Sequence, residues 1–159
     1  MPLDSGTSTA ALAQLLVERK GLHVITNNLL AATSLGDLPD GRVTLLGGDL
    51  RVGSMATVGP AAMDMLDRLT ADNVFVSADG VVAGRGLCEA SASQSYLKER
   101  MIKQAAEVFI LADASKLGRD RQQHWTPLTK PWTLITFRAE AHLVLPFQAD
   151  PWARVEQAD

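Results

Sequence analysis

Five times along this chain an apolar run gives way to a short polar segment rich in Gly, Thr, Asn, Asp or Ser, and helix-like patterns recur between these segments. The polar segments are Asp4-Ser5-Gly6-Thr7-Ser8-Thr9, Thr26-Asn27-Asn28, Gly47-Gly48-Asp49, Ser77-Ala78-Asp79-Gly80 and Ala112-Asp113-Ala114-Ser115-Lys116. Regular alternation of strand and helix predicts an α/β fold, with a Rossmann-like, mostly parallel sheet and helices on both faces. In such a sheet the carboxyl ends of the strands lie along one edge, so the polar segments gather around one crevice. Their chemistry suits a phosphate. Small residues let backbone N–H groups approach an anion at a helix N-terminus, and hydroxyls add further donors.

At 159 residues and 47% hydrophobic, the chain can bury a core as one domain, read here as residues 1–150 followed by a frayed tail at 151–159. With 15 basic and 18 acidic residues and a formal net charge of -3, it lacks the electrostatic footprint that duplex binding needs. The single cysteine, Cys88, excludes an internal disulfide and, without clustered histidines, argues against structural zinc. No cofactor is implied. No apolar run approaches the length of a membrane span, and the N-terminus lacks the basic start and long apolar stretch of a signal peptide. A protein of the reducing cytoplasm, without membrane contact, is the expectation.

Met1 to Asp4 reads as the end of a strand, so the chain starts inside an element, as if a preceding segment had been removed. Thr7 to Lys20 then reads as a helix with Leu12, Leu15 and Leu16 on its buried face. Further strands are expected at Leu22 to Thr26, Arg42 to Leu46, Asn73 to Ser77, Glu107 to Ala112 and Trp132 to Thr136, with a short last strand at Leu143 to Leu145. Asp49 to Val58 suggests a strand or hairpin, and Val82 to Cys88 a Gly-rich loop. Asn28 to Leu35 reads as a helix, Pro60 suits the first turn of another from Ala61 to Leu69, and Ser91 to Ala106 is the longest. On that helix Leu97, Met101 and Ala105 are the expected buried positions, with Lys98, Arg100 and Lys103 more exposed.

Each polar segment has a plainer reading. Gly6-Thr7-Ser8-Thr9 can hold a phosphate or merely cap a helix. At Thr26-Asn27-Asn28, side-chain amides could hold sugar hydroxyls, although capping is the commoner use of Asn at such a junction. Asp79-Gly80 places a carboxylate near the crevice or makes a turn. Glu89 could pair with Asp79 for acid–base work or simply face a helix dipole. Lys116 sits where a strand ends and could face an anion, whereas Lys98 reads as solvated. The dispersed His23, His124 and His142 suggest neither a metal trio nor a Ser-His-Asp set.

Taken in order, Leu3 to Thr9, Val24 to Asn28, Leu45 to Gly48, Val58 to Pro60, Ala78 to Gly80, Gly86-Leu87, Lys98 with Met101, and Leu111 to Gly118 resemble the C-terminal effector-binding domain of DeoR-family bacterial transcription regulators. The resemblance implies a sugar-phosphate sensor with a fold similar to ribose-5-phosphate isomerase and the CoA transferases, normally joined to an N-terminal winged helix-turn-helix absent from these residues. It implies phosphate contacts at Gly6, Thr7, Ser8 and Thr9, and Thr26, Asn27, Asp79 and Lys116 around the sugar. Gly80, Glu89 and Lys98 complete the expected ligand-binding set. The chain departs from the family pattern at Ser91-Ala92-Ser93-Gln94, at Ala114, and at Phe137, where an Asp is usual and where one side of the crevice becomes less polar.

The expected function is therefore a noncatalytic repressor-type sensor, a homo-oligomer that binds a sugar phosphate and controls DNA only through a helix-turn-helix unit. Two alternatives stand beside it: a small sugar-phosphate isomerase using Glu89 or Asp79, and a regulator fragment that only oligomerises.

Overall fold

The computed structural model describes residues 1–158. Its core is a seven-stranded sheet in the order β12-β11-β9-β6-β1-β2-β3, every neighbouring pair parallel. The strands are β1 (Pro2–Leu3), β2 (His23–Thr26), β3 (Arg42–Leu45), β6 (Ala71–Ser77), β9 (Ala105–Leu111), β11 (Trp132–Phe137) and β12 (Ala153–Ala158). β1 is only two residues long, yet it lies between β2 and β6, with Leu3 opposite both Thr26 and Phe75. Residues that alternate along a strand serve opposite faces. Val24 packs with Leu3, Ala13, Ala31 and Leu35 beneath helices α1 (Thr7–Leu15) and α2 (Leu29–Ser34). Ile25, Val74, Val76, Val108, Ile110 and Leu134 belong to a larger core with α3 (Pro60–Leu66), α4 (Ala92–Gln104) and α5 (Ala141–Gln148). The α/β architecture with helices on both faces follows from these two apolar layers.

Two hairpins stand apart from this sheet. β4 (Asp49–Arg51) and β5 (Ala56–Val58) pair antiparallel around a single 3-10 turn at Val52–Ser54. β7 (Gly80–Val82) and β8 (Gly86–Glu89) form the other, extended by β10 (His124–Thr126) on the far side of β8. The first hairpin agrees with the reading of residues 49–58. The second corrects the Gly-rich loop: Gly84 supplies the positive φ of a tight turn, and its flanks pair as strands.

Further corrections concern α1 and the C-terminal region. α1 ends at Leu15 rather than Lys20, and its most buried positions are Thr9 and Ala13, while Leu15 is 78% exposed. Leu143 to Leu145 is helix, not strand, because Val144 and Phe147 lie one turn apart and both enter the core. The frayed tail is instead edge strand β12, paired with β11 from Trp132↔Ala153 to Phe137↔Ala158; Asp159 lies outside the described residues. Here α5 is the crossover of a parallel strand–helix–strand unit, and the strand carries a weak sequence signal because only Ala153 and Val155 among its residues are half-buried. Among the described residues, no helix is long and apolar enough to cross a membrane.

Phe147 is 1% exposed and meets Trp132 edge-to-face at 6.1 Å between centroids, so it fastens α5 to the sheet. Phe147→Ala should cost about 3–5 kcal/mol. Urea unfolding should show a lower midpoint with one cooperative transition; no loss of stability would mean that residues 141–158 dock without contributing to the core.

Candidate functional site

The carboxyl ends of β2, β1, β6 and β9 stand side by side, and their following residues line a cleft of about 470 Å³. Small-molecule sites fall in this size range. At its floor is a residue that sequence reasoning passed over as turn chemistry. Asp4 is 5% exposed, and its Oδ1 accepts from Gly6 N–H at 3.1 Å and from the Thr9 hydroxyl at 2.8 Å. Its Oδ2 accepts from Ser77 N–H at 3.0 Å and lies 3.2 Å from Lys98 Nζ. One carboxylate thus fixes the turn into α1, the end of β6 and the middle of α4.

Lys98 corrects the expectation of a solvated lysine. It is 5% exposed, and its ammonium bonds to the Glu89 carboxylate and the Ser77 carbonyl as well as pairing with Asp4. Burial disfavours its charge, but Asp4 and Glu89 outweigh that and leave its pKa above the usual lysine value. Burial pushes Glu89 the other way, above the usual carboxylate range, with Lys98 opposing the shift. Glu89 therefore partners Lys98, not Asp79. Asp79 accepts instead from Ala90 N–H at 3.2 Å and from the Gln122 amide at 3.1 Å.

Over this floor stands the N-terminus of α1. Gly6 is the N-cap and has no side-chain capping bond, and the first intrahelical bond runs from Ala10 N–H to Gly6 O. The N–H groups of Thr7, Ser8 and Thr9 thus precede the helical ladder, and the helix dipole favours an anion there. Glycine is required at position 6, because a Cβ would lie 1.6 Å from Ser77 Oγ. On the far side of the cleft, Asp113 Oδ1 accepts from Ser115 N–H at 2.9 Å and so holds the turn that carries Lys116. The Ser115 bonds hold the Asp113 carboxyl below its usual pKa. Among the described residues, no ion pair engages Lys116 or Arg51, which reaches the cleft from β4. The uncommitted positive charge of the cleft sits on these two side chains.

Of the expected binding residues, Gly6, Thr7, Asn27, Asp79, Glu89, Lys98 and Lys116 line the cleft. Ser8, Thr9, Thr26 and Gly80 are outside its lining. The Thr9 hydroxyl is spent on Asp4 and Gly6 O, and the Thr26 hydroxyl donates to Leu3 O while accepting from Asn28 N–H, so both brace the β1–α1 and β2–α2 junctions. Gly80 is a packing position, where a Cβ would meet Arg119 O at 2.0 Å. Asn28 caps α2 by accepting from Leu30 and Ala31 N–H, as the capping reading of that segment holds. Phe137 does not line the cleft; its ring lies under the Arg138 guanidinium at 4.8 Å. Cys88 is fully buried, with its thiol directed at Arg119 O and its pKa raised by burial, as befits a packed thiol. Besides Asp4, sequence reasoning missed Arg51 and Ser54, which belong to no local motif, while Gln94, at the end of the Ser91-Ala92-Ser93-Gln94 departure, also lines the cleft.

Lys98→Met leaves Asp4 and Glu89 facing each other without a cation and should destabilise the protein by about 3–5 kcal/mol at neutral pH. Because the Lys98 pKa is raised in the folded state, its stabilisation persists through neutrality and is lost only as pH climbs through that raised value. Urea unfolding of the two proteins should therefore show a stability gap that narrows in the alkaline range; a gap absent at neutral pH would remove the ion cluster from the account of the fold.

Comparison with known proteins follows the same residues. The family model described as the DeoR C terminal sensor domain matches residues 1–137. The HTH-type transcriptional regulator GlpR of Haloferax volcanii is 34% identical over 116 residues, covering 73% of this chain and 45% of the relative. The glycerol-3-phosphate regulon repressor of Escherichia coli is 30% identical over 118 residues, 74% of this chain and 47% of the repressor. The HTH-type transcriptional regulator IolR of Bacillus subtilis is 27% identical over 134 residues, 84% and 53% of the two chains. The chain thus spans about half the length of the curated relatives it matches. Among solved structures, a D-ribose-5-phosphate isomerase in complex with phospho-erythronic acid aligns with a TM-score of 0.47 and 18% identity over 73% of this chain and 45% of that one. With a sensor-domain model matched across both ends of its cleft and regulators among its relatives, this chain belongs to the DeoR C-terminal sensor domain family.

Proposed function

We propose that the cleft binds a phosphorylated sugar or polyol as an effector and that this chain is the sensing part of a longer cytoplasmic regulator. The observation that carries the reading is the uncapped N-terminus of α1 opening onto a cleft that also receives the unpaired Lys116. A phosphate there would gain backbone N–H donors, a favourable helix dipole and a nearby cation. Family membership supports it, as does the printed name of the Escherichia coli relative, a glycerol-3-phosphate regulon repressor. Control of DNA would belong to a helix-turn-helix unit of the whole protein. Coupling would require the effector to favour one arrangement of domains or subunits over another by differential affinity.

The reading is noncatalytic. An isomerase needs a base free to move a proton on the substrate, and Glu89 is engaged by Lys98 while Asp79 accepts two hydrogen bonds. These commitments support sensing over turnover. Incubation with aldose and ketose phosphates, followed by NMR, should show no interconversion; turnover lost in Glu89→Gln would overturn the noncatalytic reading.

Thermal melting against matched sugars and sugar phosphates tests binding directly. A ligand at about 100 times its dissociation constant stabilises the native state by about 2.7 kcal/mol, a shift readable in Tm. Shifts should be confined to phosphorylated members of the pairs. Lys116→Ala should weaken those ligands by about 1.5–3 kcal/mol, the worth of a hydrogen bond to a charged group. Equal losses for sugars and sugar phosphates would remove Lys116 from the phosphate site.

A further inference from the structure

Asn27 is 1% exposed and lines the cleft at the end of β2. Its Nδ2 donates to Thr57 O at 2.9 Å, and its own carbonyl accepts Thr57 N–H at 2.8 Å, so β5 grips the residue through both side chain and backbone. This fixes the amide orientation, because a flipped amide would set Oδ1 against the Thr57 carbonyl. Oδ1 is left buried and without a hydrogen-bond partner. Of the four such side-chain atoms among the described residues, three belong to residues lining this cleft: Asn27 Oδ1, Arg51 Nη1 and Ser54 Oγ. Arg51 and Ser54 come from the β4–β5 hairpin, which is fastened to the segment after β2 by Leu29 N–H to Met55 O at 2.9 Å. Buried polar atoms left unpaired are costly, and a group of them on residues that line one cleft points to a place where a ligand supplies the missing bonds.

Their chemistry restricts that ligand. Asn27 Oδ1 only accepts, Arg51 only donates, and Ser54 does both. A phosphate or carboxylate would satisfy Arg51 but set its own negative oxygens against Oδ1. A hydroxyl donates and accepts, so neighbouring hydroxyls on a carbon chain can satisfy all three. In the sheet order β2 is adjacent to β1, whose end leads into the α1 turn. Strands β2 and β1 lie one strand spacing, about 4.8 Å, apart, and both Thr7 at the start of α1 and this station line the same cleft, so a short polyol chain whose phosphate rests on that helix can extend toward it.

We infer that Arg51 and Ser54 of the β4–β5 hairpin, with Asn27, read hydroxyl groups of the effector and so select among ligands whose phosphate is held elsewhere in the cleft. This rests on the effector reading above and adds to it the direction in which the ligand lies: phosphate at α1, hydroxylated carbons toward β2. The hairpin is a specificity element, and its residues discriminate carbon skeletons while contributing little to holding the anion.

Calorimetric titration of the wild type, Arg51→Met and Ser54→Ala with inorganic phosphate, glycerol 3-phosphate, ribose 5-phosphate, 2-deoxyribose 5-phosphate and fructose 6-phosphate tests the inference. The best-bound organic phosphate should lose about tenfold or more in affinity in Arg51→Met, and less in Ser54→Ala, whereas inorganic phosphate should change by no more than about twofold. Without ligand, Arg51→Met should melt no lower than the wild type, since it removes an unpaired buried donor. Equal losses for phosphate and organic phosphate would make Arg51 an anion ligand and overturn the inference, as would unchanged affinities or a destabilised unliganded variant. A wild type that binds none of the organic phosphates would overturn the effector reading and this inference with it; binding by the wild type and equal binding by both variants would overturn the inference alone.

Discussion

The carboxylate of Asp4 is the point from which the rest of the site is built. It follows a strand of two residues, too short to hold its place by ladder hydrogen bonds alone, and it answers with bonds to the turn before α1, to the end of β6 and to the ammonium of Lys98 on α4. Because it is nearly buried, each of those bonds replaces water that the carboxylate has lost. Removing any one partner leaves charge without compensation, which ties the position of α1 to that of α4 across the strands between them. The cleft has a fixed floor for this reason.

Charge in the cleft is divided between that floor and its ends. Below, the single cation Lys98 sits between two carboxylates, Asp4 and Glu89, which hold it in its charged form. Such a buried cluster fixes geometry more than it adds stability, since desolvation offsets much of the Coulombic gain. Arg51 and Lys116 also line the cleft, neither tied by an ion pair among the described residues, as does Thr7 at the open N-terminus of α1. A rigid floor with the open N-terminus of α1 and Lys116 around it suits recognition of an anion, because the helix N–H groups are already placed and little ordering remains to be completed on binding.

Strand and helix periodicity made much of the sheet legible. Leu22 to Thr26 and Asn73 to Ser77 are apolar, β-branched runs of the kind a parallel sheet buries on both faces, and they are β2 and part of β6. The signal failed where burial is one-sided or borrowed. Residues 153–158 form a strand because β11 offers a partner and α5 brings the chain back, not because their own pattern is apolar. Leu15 sits at helical spacing from Leu12 yet faces solvent, because the line of α1 that meets the sheet runs through Thr9 and Ala13.

At the site, the sequence by itself determined the chemistry carried to the edge of the sheet: turn residues after apolar runs must leave strands at their carboxyl ends, and a glycine followed by hydroxyl residues can open a helix toward an anion. That reasoning reached Gly6, Thr7, Asn27, Asp79 and Lys116, which the cleft brings together. Only the tertiary structure decided which polar groups face a ligand and which are consumed in holding the frame. Thr9 and Thr26 spend their hydroxyls on neighbouring backbone and on Asp4, Lys98 turns inward to carboxylates from two other elements, and Arg51 arrives on a hairpin with no motif to announce it. The physical reason is that a polar side chain's role is set by whether its hydrogen bonds are already satisfied. Its partners lie far along the chain, as Ser77 lies 73 residues from Asp4, and the fold alone brings them within reach.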